Sequence, residues 1–160
     1  MLYNGQLMAK FTLYTDGGSR GNPGVAGAGV AIMDERGQTL KTASKPLGHT
    51  TNNEAEYQAV IFGLETLKRL LGKEQLANVS IEGRLDSELV ARQLQGKYQI
   101  KEATLQPLFL KVWNMKIKDF PDLKFTPIPR EENKLADQLA NEAMDLPAQL
   151  GFSSGRNTLL

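Results

Sequence analysis

The spacing of apolar residues changes once along the chain, close to Thr51, and this change constrains the fold more than any other feature. Upstream, short segments rich in β-branched and aromatic residues predict three strands, at residues 10–16, 25–33 and 38–45. Downstream, apolar residues recur about every 3.6 positions as far as Leu71, and Gly72 is a stop signal for a helix. The chain therefore opens with a three-stranded meander that leads into a helix.

The remainder of the chain alternates between strands and helices. In order, we predict a strand at 78–85, a helix in DSELVARQL, a longer helix in KEATLQPLFLKVWNMKIKDF that Pro107 shifts or interrupts, a strand in LKFTPI, and a last helix ended by Pro147. The first strand is expected to stop at Gly17, because paired glycines break strands. This element order predicts an α/β fold with a mixed sheet and helices on its faces.

Length and composition bound the domain organisation and exclude several kinds of chemistry. The 160 residues predict a single domain at 1–146, followed by a tail at 147–160 that is loosely docked or disordered. No apolar run is long enough to cross a bilayer and MLYNGQLMAK lacks the features of a signal peptide, so we expect a cytoplasmic protein. The absence of cysteine excludes disulfides, thiolate catalysis and Cys-type zinc sites.

A carboxylate followed by glycines marks the end of the first predicted strand, in YTDGGSRGNPG at residues 14–24. Ligands of sheets with parallel strands bind outside the carboxyl ends of the strands, so Asp16 is a candidate site residue. The glycines after it would let a backbone or a phosphate approach closely, although the segment has neither a P-loop ending nor a dinucleotide fingerprint. The alternative is that Asp16 opens a glycine-rich turn.

Helical phase separates the two glutamates of TNNEAEYQA. The buried face of this helix is predicted by the stripe Val60, Leu64, Leu67 and Leu71. Extending the stripe four residues back from Val60 leads to Glu56, whereas Glu54 lies on a wetter face near the positive end of the helix dipole. A carboxylate that faces the core requires a partner, and a metal cation would serve; the alternative is a glutamate at the rim that reaches water.

Two aspartates complete the set of candidate carboxylates. Asp86 follows a strand, although an N-cap of the next helix explains it equally well. Asp137 lies on the flank of the last helix, near Asn133 and Asn141, and the small residues Ala136 and Ala140 beside it would permit close packing against the sheet. The main apolar stripe of this helix is predicted at Leu135, Leu139, Ala143 and Leu146. Three aspartates and one glutamate from different elements form an oxygen ligand set that suits Mg²⁺ or Mn²⁺ rather than zinc.

Four segments of the chain resemble ribonuclease H type 1. YTDGGSRGNPG, TNNEAEYQA, DSELV and PREENKLADQLANEA occur in the order of that family and at compatible spacing, over residues 10–143. The resemblance implies an RNase H-like fold, in which helices flank a five-stranded mixed sheet with three antiparallel strands followed by parallel ones. It also implies an endoribonuclease that hydrolyses the RNA strand of RNA/DNA hybrids and leaves 5′-phosphate and 3′-hydroxyl ends.

The same resemblance implies the residues of the site. Two Mg²⁺ ions, with Mn²⁺ as an alternative, would act in a two-metal mechanism, and the catalytic metal ligands would be Asp16, Glu56, Asp86 and Asp137. The positions that match substrate contacts are Gly17, Gly18, Ser19, Arg20, Asn22, Gly24, Thr51, Asn52 and Asn53. The expected partner is an RNA/DNA hybrid, with double-stranded RNA as a further candidate, and the expected state is a monomer without membrane contact.

Departures from the family pattern leave alternatives open. Many members carry a histidine ten residues before the last carboxylate, where this chain has Pro127, so turnover is expected to be slower, or a water or another side chain such as Arg130 or Glu131 is expected to substitute. The alternative function is therefore a hybrid-binding module with weak catalysis. Residues 95–104 leave little room for a basic protrusion, and the lysines near Trp113 form either a lesser basic surface or a solvated helix face.

Overall fold

The computed structural model describes residues 2–3 and 6–149, and its centre is a five-stranded mixed sheet. A short pair, β1 (Leu2–Tyr3) and β2 (Gln6–Leu7), precedes it. The strands of the main sheet are β3 (Ala9–Gly21), β4 (Gly24–Met33), β5 (Thr39–Thr50), β6 (Val79–Leu85) and β7 (Leu123–Pro127). Their spatial order is β5-β4-β3-β6-β7, with antiparallel pairs among β3, β4 and β5 and parallel pairs among β3, β6 and β7. The predicted α/β fold is confirmed.

Helices flank this sheet in the predicted order. They are α1 (Asn52–Leu71), α2 (Lys73–Leu76), α3 (Glu88–Leu94), α4 (Gln106–Asp119) and α5 (Lys134–Gln149), with a 3₁₀ turn at Arg130–Glu132 before α5. Gly72 ends α1 as expected, and Pro107 lies in the first turn of α4, where its missing N–H is tolerated. Within the described residues, none of the helices has the length and apolar character that spanning a membrane requires.

The helix α1 packs on one face of the sheet through large apolar side chains. Tyr57, Leu64 and Leu67 are fully buried in a cluster that also contains Val30 and Ile32 of the sheet. Burial of such side chains provides most of the favourable free energy of folding. The fold on this face is therefore stabilised by a conventional apolar core.

The helix α5 packs on β4 at much shorter range. A Cβ atom added to Gly27 would lie 2.6 Å from the carbonyl oxygen of Ala140, and one added to Gly29 would overlap that of Ala136. Because side chains alternate along a strand, these glycines face away from Val30 and towards α5. The backbones of strand and helix thus touch directly.

Four predicted element boundaries are wrong. The helix α4 begins at Gln106 and not at Lys101, because Pro107 is tolerated only in a first turn. The strand β3 continues through Gly17 to Gly21, because β4 pairs with it residue by residue over this stretch and compensates the weak strand preference of glycine. The strand β5 extends to Thr50 through its pairing with the beginning of β4. The helix α5 continues past Pro147 to Gln149, since a proline in a last turn removes only one hydrogen bond. The remaining tail, 150–160, lies outside the described residues.

The predicted apolar stripe of α5 is wrong at its leucines, whereas the burial of Ala143 and the close packing of Ala136 and Ala140 on the sheet are confirmed. The residues that the helix buries are Ala136, Ala140, Ala143 and Met144, whereas Leu146 is exposed and Leu135 and Leu139 are only half-buried. Hydrophobicity favoured the leucines, but only small residues allow the contact with Gly27 and Gly29. The helix is therefore rotated relative to the prediction, towards its alanine face.

Candidate active site

The four predicted carboxylates come from four elements that meet at one end of the sheet. Asp16 lies within β3, and Asp86 directly follows β6, the parallel neighbour of β3. Glu56 projects from α1, and Asp137 lies in the first turn of α5. The carboxyl ends of parallel strands share one edge, and helices from both faces reach that edge.

Three of these carboxylates form a tight cluster. One carboxylate oxygen each from Asp16, Glu56 and Asp86 lies within 4.8 Å of the other two. Asp137 lies outside this group of three but lines the same cleft. The structure thus brings together all four residues that the sequence singled out.

Burial and the neighbouring negative charges favour the protonated forms of Asp16 and Glu56. Only 8% of Asp16 and 7% of Glu56 is exposed. Burial, reinforced by the charges of Asp86 and Asp137, raises the pKa of Asp16 to about 8. Burial and the charges of Asp16 and Asp86 likewise raise the pKa of Glu56 well above its usual value. None of the ion pairs among residues 8–146 involves any of these four side chains.

The donor set fits a hard divalent cation. The Oε2 atom of Glu56 is buried and has no hydrogen-bond partner, although buried polar atoms are nearly always satisfied. A cation among the carboxylates would satisfy this atom and neutralise the repulsion around it. All the ligands are oxygens, which Mg²⁺, Mn²⁺ and Ca²⁺ prefer.

The two glutamates of α1 have different roles. Glu54 belongs to a capping box: its N–H donates to Thr51 Oγ1, its side chain accepts from the Thr51 N–H, and it also accepts from the Thr50 hydroxyl. Glu56 points into the carboxylate cluster instead. Glu54 and Glu56 thus lie on the different helix faces that the apolar stripe of α1 predicted.

The N-cap explanation for Asp86 is wrong. Ser87 is the N-cap of α3, and its Oγ accepts a hydrogen bond of 3.2 Å from the N–H of Val90. The Oδ2 of Asp86 instead accepts from Asn133 Nδ2 at 3.0 Å. The sequence placed Asn133 near Asp137 but indicated no role for it at the site, because nothing in its periodicity distinguishes it from other polar residues near a helix start.

The carboxylates form the floor of an open cleft of about 490 Å³. Six of the nine predicted substrate contacts line it: Gly17, Gly18, Ser19, Arg20, Asn52 and Asn53. The other lining residues, besides the four carboxylates, are Ser87, Arg130, Asn141 and Met144. The cleft is therefore acidic at its floor and carries arginines at its border.

The three remaining predicted contacts support the cleft and do not line it. Asn22 Oδ1 accepts from the N–H of Asn52 at 3.0 Å, and Asn52 Oδ1 accepts from the N–H of Ser19 at 2.9 Å. Thr51 caps α1, and Gly24 closes the β3–β4 turn, where a Cβ would overlap the carbonyl of Arg20. These contacts tie the β3–β4 hairpin to the start of α1.

The glycines that follow Asp16 differ in what requires them. A Cβ on Gly17 would overlap the carbonyl of Ala55, so this glycine lets α1 approach β3. A Cβ on Gly18 would meet only Met144 Cε, at an ordinary 3.7 Å. The expectation that the glycines admit a ligand backbone therefore has its best geometric support at Gly18, because the packing of the protein itself explains Gly17.

A proline occupies the position of the family's loop histidine, so this position provides no imidazole to the cleft. Pro127 is the last residue of β7, and His49 lies in β5 opposite Val25, outside the residues that line the cleft. Of the two suggested substitutes, Arg130 lines the cleft and Glu131 does not. The lysines near Trp113 also lie outside it, and Lys111 pairs with Glu65 of α1 at 3.9 Å.

Comparisons with known proteins agree with the site. A family model described as "Reverse transcriptase-like" matches residues 14–143. The chain is 37% identical over 141 residues to the bifunctional protein Rv2228c of Mycobacterium tuberculosis; the match covers 88% of the chain and 37% of the length of that relative. It is 32% identical over 157 residues to a ribonuclease H of Desulforamulus reducens, with 88% of the chain and 91% of the relative covered.

The sequence identity to two solved structures is higher than to these relatives. The chain matches LC11-RNase H1, isolated from compost, with a TM-score of 0.83 and 50% identity over 88% of this chain and 99% of the other. The same protein in complex with an RNA/DNA hybrid matches with a TM-score of 0.83 and 49% identity, over 86% and 99% of the two chains.

Proposed function

The chain belongs to the ribonuclease H type 1 family, and from this premise we propose that it is an endoribonuclease that hydrolyses the RNA strand of RNA/DNA hybrids, leaving 5′-phosphate and 3′-hydroxyl ends. The observation that carries the proposal is the cluster of Asp16, Glu56 and Asp86, with its unsatisfied Glu56 oxygen, at the floor of an open cleft. A relative 49% identical in sequence has been crystallised with such a hybrid.

Two Mg²⁺ ions, with Mn²⁺ as a substitute, would be held by the three clustered carboxylates and Asp137. When bound, such ions provide Lewis acidity at a phosphate and lower the pKa of water. Asp16 and Glu56, whose pKa values are raised, give up their protons when cations bind, so ion binding weakens as the pH falls.

The side chains and backbone of the cleft orient the substrate. The backbone of β3 at Gly18 and Ser19 would contact the RNA strand of the hybrid. Hydrogen bonds to the 2′-hydroxyl groups would distinguish RNA from DNA. Arg20 and Arg130 line the cleft, and although an ion pair with Asp145 holds Arg20, the positive charge of these two side chains would attract phosphates. Because such contacts release counterions, binding weakens as the salt concentration rises.

Pro127 favours one rival function, a hybrid-binding module with little catalysis, because proline cannot transfer a proton. A single assay separates the two. Labelled RNA/DNA hybrid, double-stranded RNA and double-stranded DNA are each incubated with the protein in Mg²⁺, Mn²⁺ or EDTA, and the cleavage products and the bound fraction are measured.

We expect cleavage of the RNA strand of the hybrid in Mg²⁺ and none in EDTA. Asp16→Asn and Glu56→Gln should each reduce cleavage by more than about 100-fold. This loss exceeds the one typical of residues that only orient a metal ligand, because these substitutions change proposed ligands themselves. Glu54→Gln is the matched control, since it lies on the same helix and leaves the cluster intact. Cleavage that persists in EDTA or in Asp16→Asn would contradict the metal assignment; tight hybrid binding without cleavage would establish the rival.

A further inference from the structure

Asn133 lies at the junction of the elements that carry three of the carboxylates. It follows the 3₁₀ turn, precedes α5, and is only 1% exposed. A polar side chain so deeply buried requires hydrogen-bond partners, and the identity of those partners indicates what the residue does.

The side-chain amide of Asn133 makes two donor contacts. Its Nδ2 donates to Asp86 Oδ2 at 3.0 Å and to the carbonyl oxygen of Thr15 at 2.9 Å. Thr15 immediately precedes Asp16 in β3. One amide group therefore fixes the carboxylate of Asp86 relative to the backbone that carries Asp16.

The backbone of Asn133 extends this link to a third carboxylate. Its carbonyl oxygen accepts from the N–H of Asp137 at 3.1 Å, which sets the first turn of α5. Displacement of Asn133 would consequently disturb Asp86 and Asp137 together.

The chemistry of this position requires an amide. An NH₂ group has two hydrogens and can serve an anion and a carbonyl at the same time, whereas a serine hydroxyl has one and an ionised aspartate has none. The Oδ1 of Asn133 is buried without a partner. Turning the amide over would break the hydrogen bonds to both Asp86 and Thr15, so these two bonds fix its orientation. In this orientation Oδ1 has no partner, and unfavourable arrangements of this kind are typical of functional sites.

We propose that Asn133 is a positioning residue of the nuclease site, which holds Asp86 in the geometry that binds divalent cations. The proposal rests on the proposed function for its catalytic consequence, but its direct consequence is ion affinity, which is measurable without substrate. Partners that orient metal ligands typically change ion affinity or activity by about 10- to 100-fold when they are removed.

The test compares two variants of Asn133 with a matched control. Asn133→Ala removes both donor contacts, and Asn133→Ser keeps a hydroxyl that can make one. Tyr57→Phe removes a buried hydrogen bond of 2.8 Å, from the Tyr57 hydroxyl to Gln93, at a place that does not line the cleft. For each protein, Mn²⁺ affinity is measured by calorimetry without nucleic acid, Tm is measured in EDTA, and kcat and KM are measured on hybrid in Mg²⁺.

We expect Asn133→Ala to weaken Mn²⁺ binding by about 10- to 100-fold and to lower kcat with little change in KM for the hybrid. Asn133→Ser should fall between it and the wild type, and it serves as the test if Asn133→Ala does not fold. Tyr57→Phe should lower Tm and leave Mn²⁺ affinity unchanged. Wild-type Mn²⁺ affinity in a folded Asn133 variant would overturn the proposal. Failure of the wild type to cleave hybrid would instead contradict the proposed function alone.

Discussion

The two faces of the sheet are covered in different ways. On one face, α1 buries large side chains such as Tyr57, Leu64 and Leu67. On the other, α5 brings its backbone against Gly27 and Gly29 through small residues. The packing of α1 buries a large apolar area, which stabilises the fold. The close contact between the backbones of α5 and β4 instead fixes the position of α5 on the sheet.

The difference matters because the site takes one carboxylate from each covering helix. Glu56 comes from α1, and Asp137 lies next to Ala136, which touches Gly29. A change on the α1 face should therefore act mainly on stability, and a change in the glycine–alanine contact should act on both stability and catalysis. Four predictions test this division, from the largest expected effect to the smallest.

Leu64→Ala should lower the free energy of unfolding by about 2–5 kcal/mol, since it removes a fully buried side chain and leaves a cavity. Urea denaturation measures the loss. Cleavage per folded molecule, measured well below the new Tm, should stay near the wild-type value. Loss of cleavage in the folded variant would show that this face also sets the geometry of the site.

Gly29→Ala should lower the free energy of unfolding by about 1–3 kcal/mol, because the new methyl group would overlap the carbonyl of Ala136 and force α5 outwards. The folded fraction should also lose cleavage, since Asp137 moves with the helix. Gly18→Ala is the control for stability, as its methyl group meets only Met144 at an ordinary distance. Equal destabilisation by the two substitutions would contradict the close-contact explanation.

The carboxylate cluster, where the two faces meet, should make the metal-free protein sensitive to pH. Because the pKa of Asp16 is raised to about 8, this carboxyl group keeps its proton in the folded state at pH values where it ionises in the unfolded state. The contribution of Asp16 to stability is therefore lost as the pH rises from about 4 to about 8. In EDTA, Asp16→Asn should therefore have the higher Tm at pH 8, and its advantage over the wild type should shrink towards pH 4. An advantage independent of pH would contradict the raised pKa.

Asp145→Ala should have the smallest effect, within about 1 kcal/mol of unfolding free energy. Asp145 pairs with Arg20 on the surface between α5 and the β3–β4 hairpin, and both side chains are about half exposed. Urea denaturation at low and high salt measures the effect, which salt should reduce further. A loss as large as that of Gly29→Ala would mean that ion pairing, not backbone contact, holds α5.

The different packing of α1 and α5 also explains which features of the fold and the site were predictable from the sequence. Glu56 was predictable because the large stripe on α1 fixes the phase of that helix. The small size of Ala136 and Ala140 indicated that α5 could pack closely on the sheet. The main buried face of α5 was still not predictable, because alanines carry little hydrophobic signal beside Leu135 and Leu139. The continuation of β3 through its glycines and the hydrogen bonds of Asn133 depend on residues distant in sequence, so local pattern could not indicate them.

Gly18 has a practical consequence for following this protein at work. The chain contains no cysteine, and a side chain added at position 18 would project beside the cleft with only Met144 in ordinary contact. A Gly18→Cys variant would consequently carry a single thiol at the rim of the acidic floor. A fluorophore attached there would lie where the hybrid is proposed to pass, so its emission would report nucleic acid entering the cleft, while cleavage is timed in the unlabelled protein.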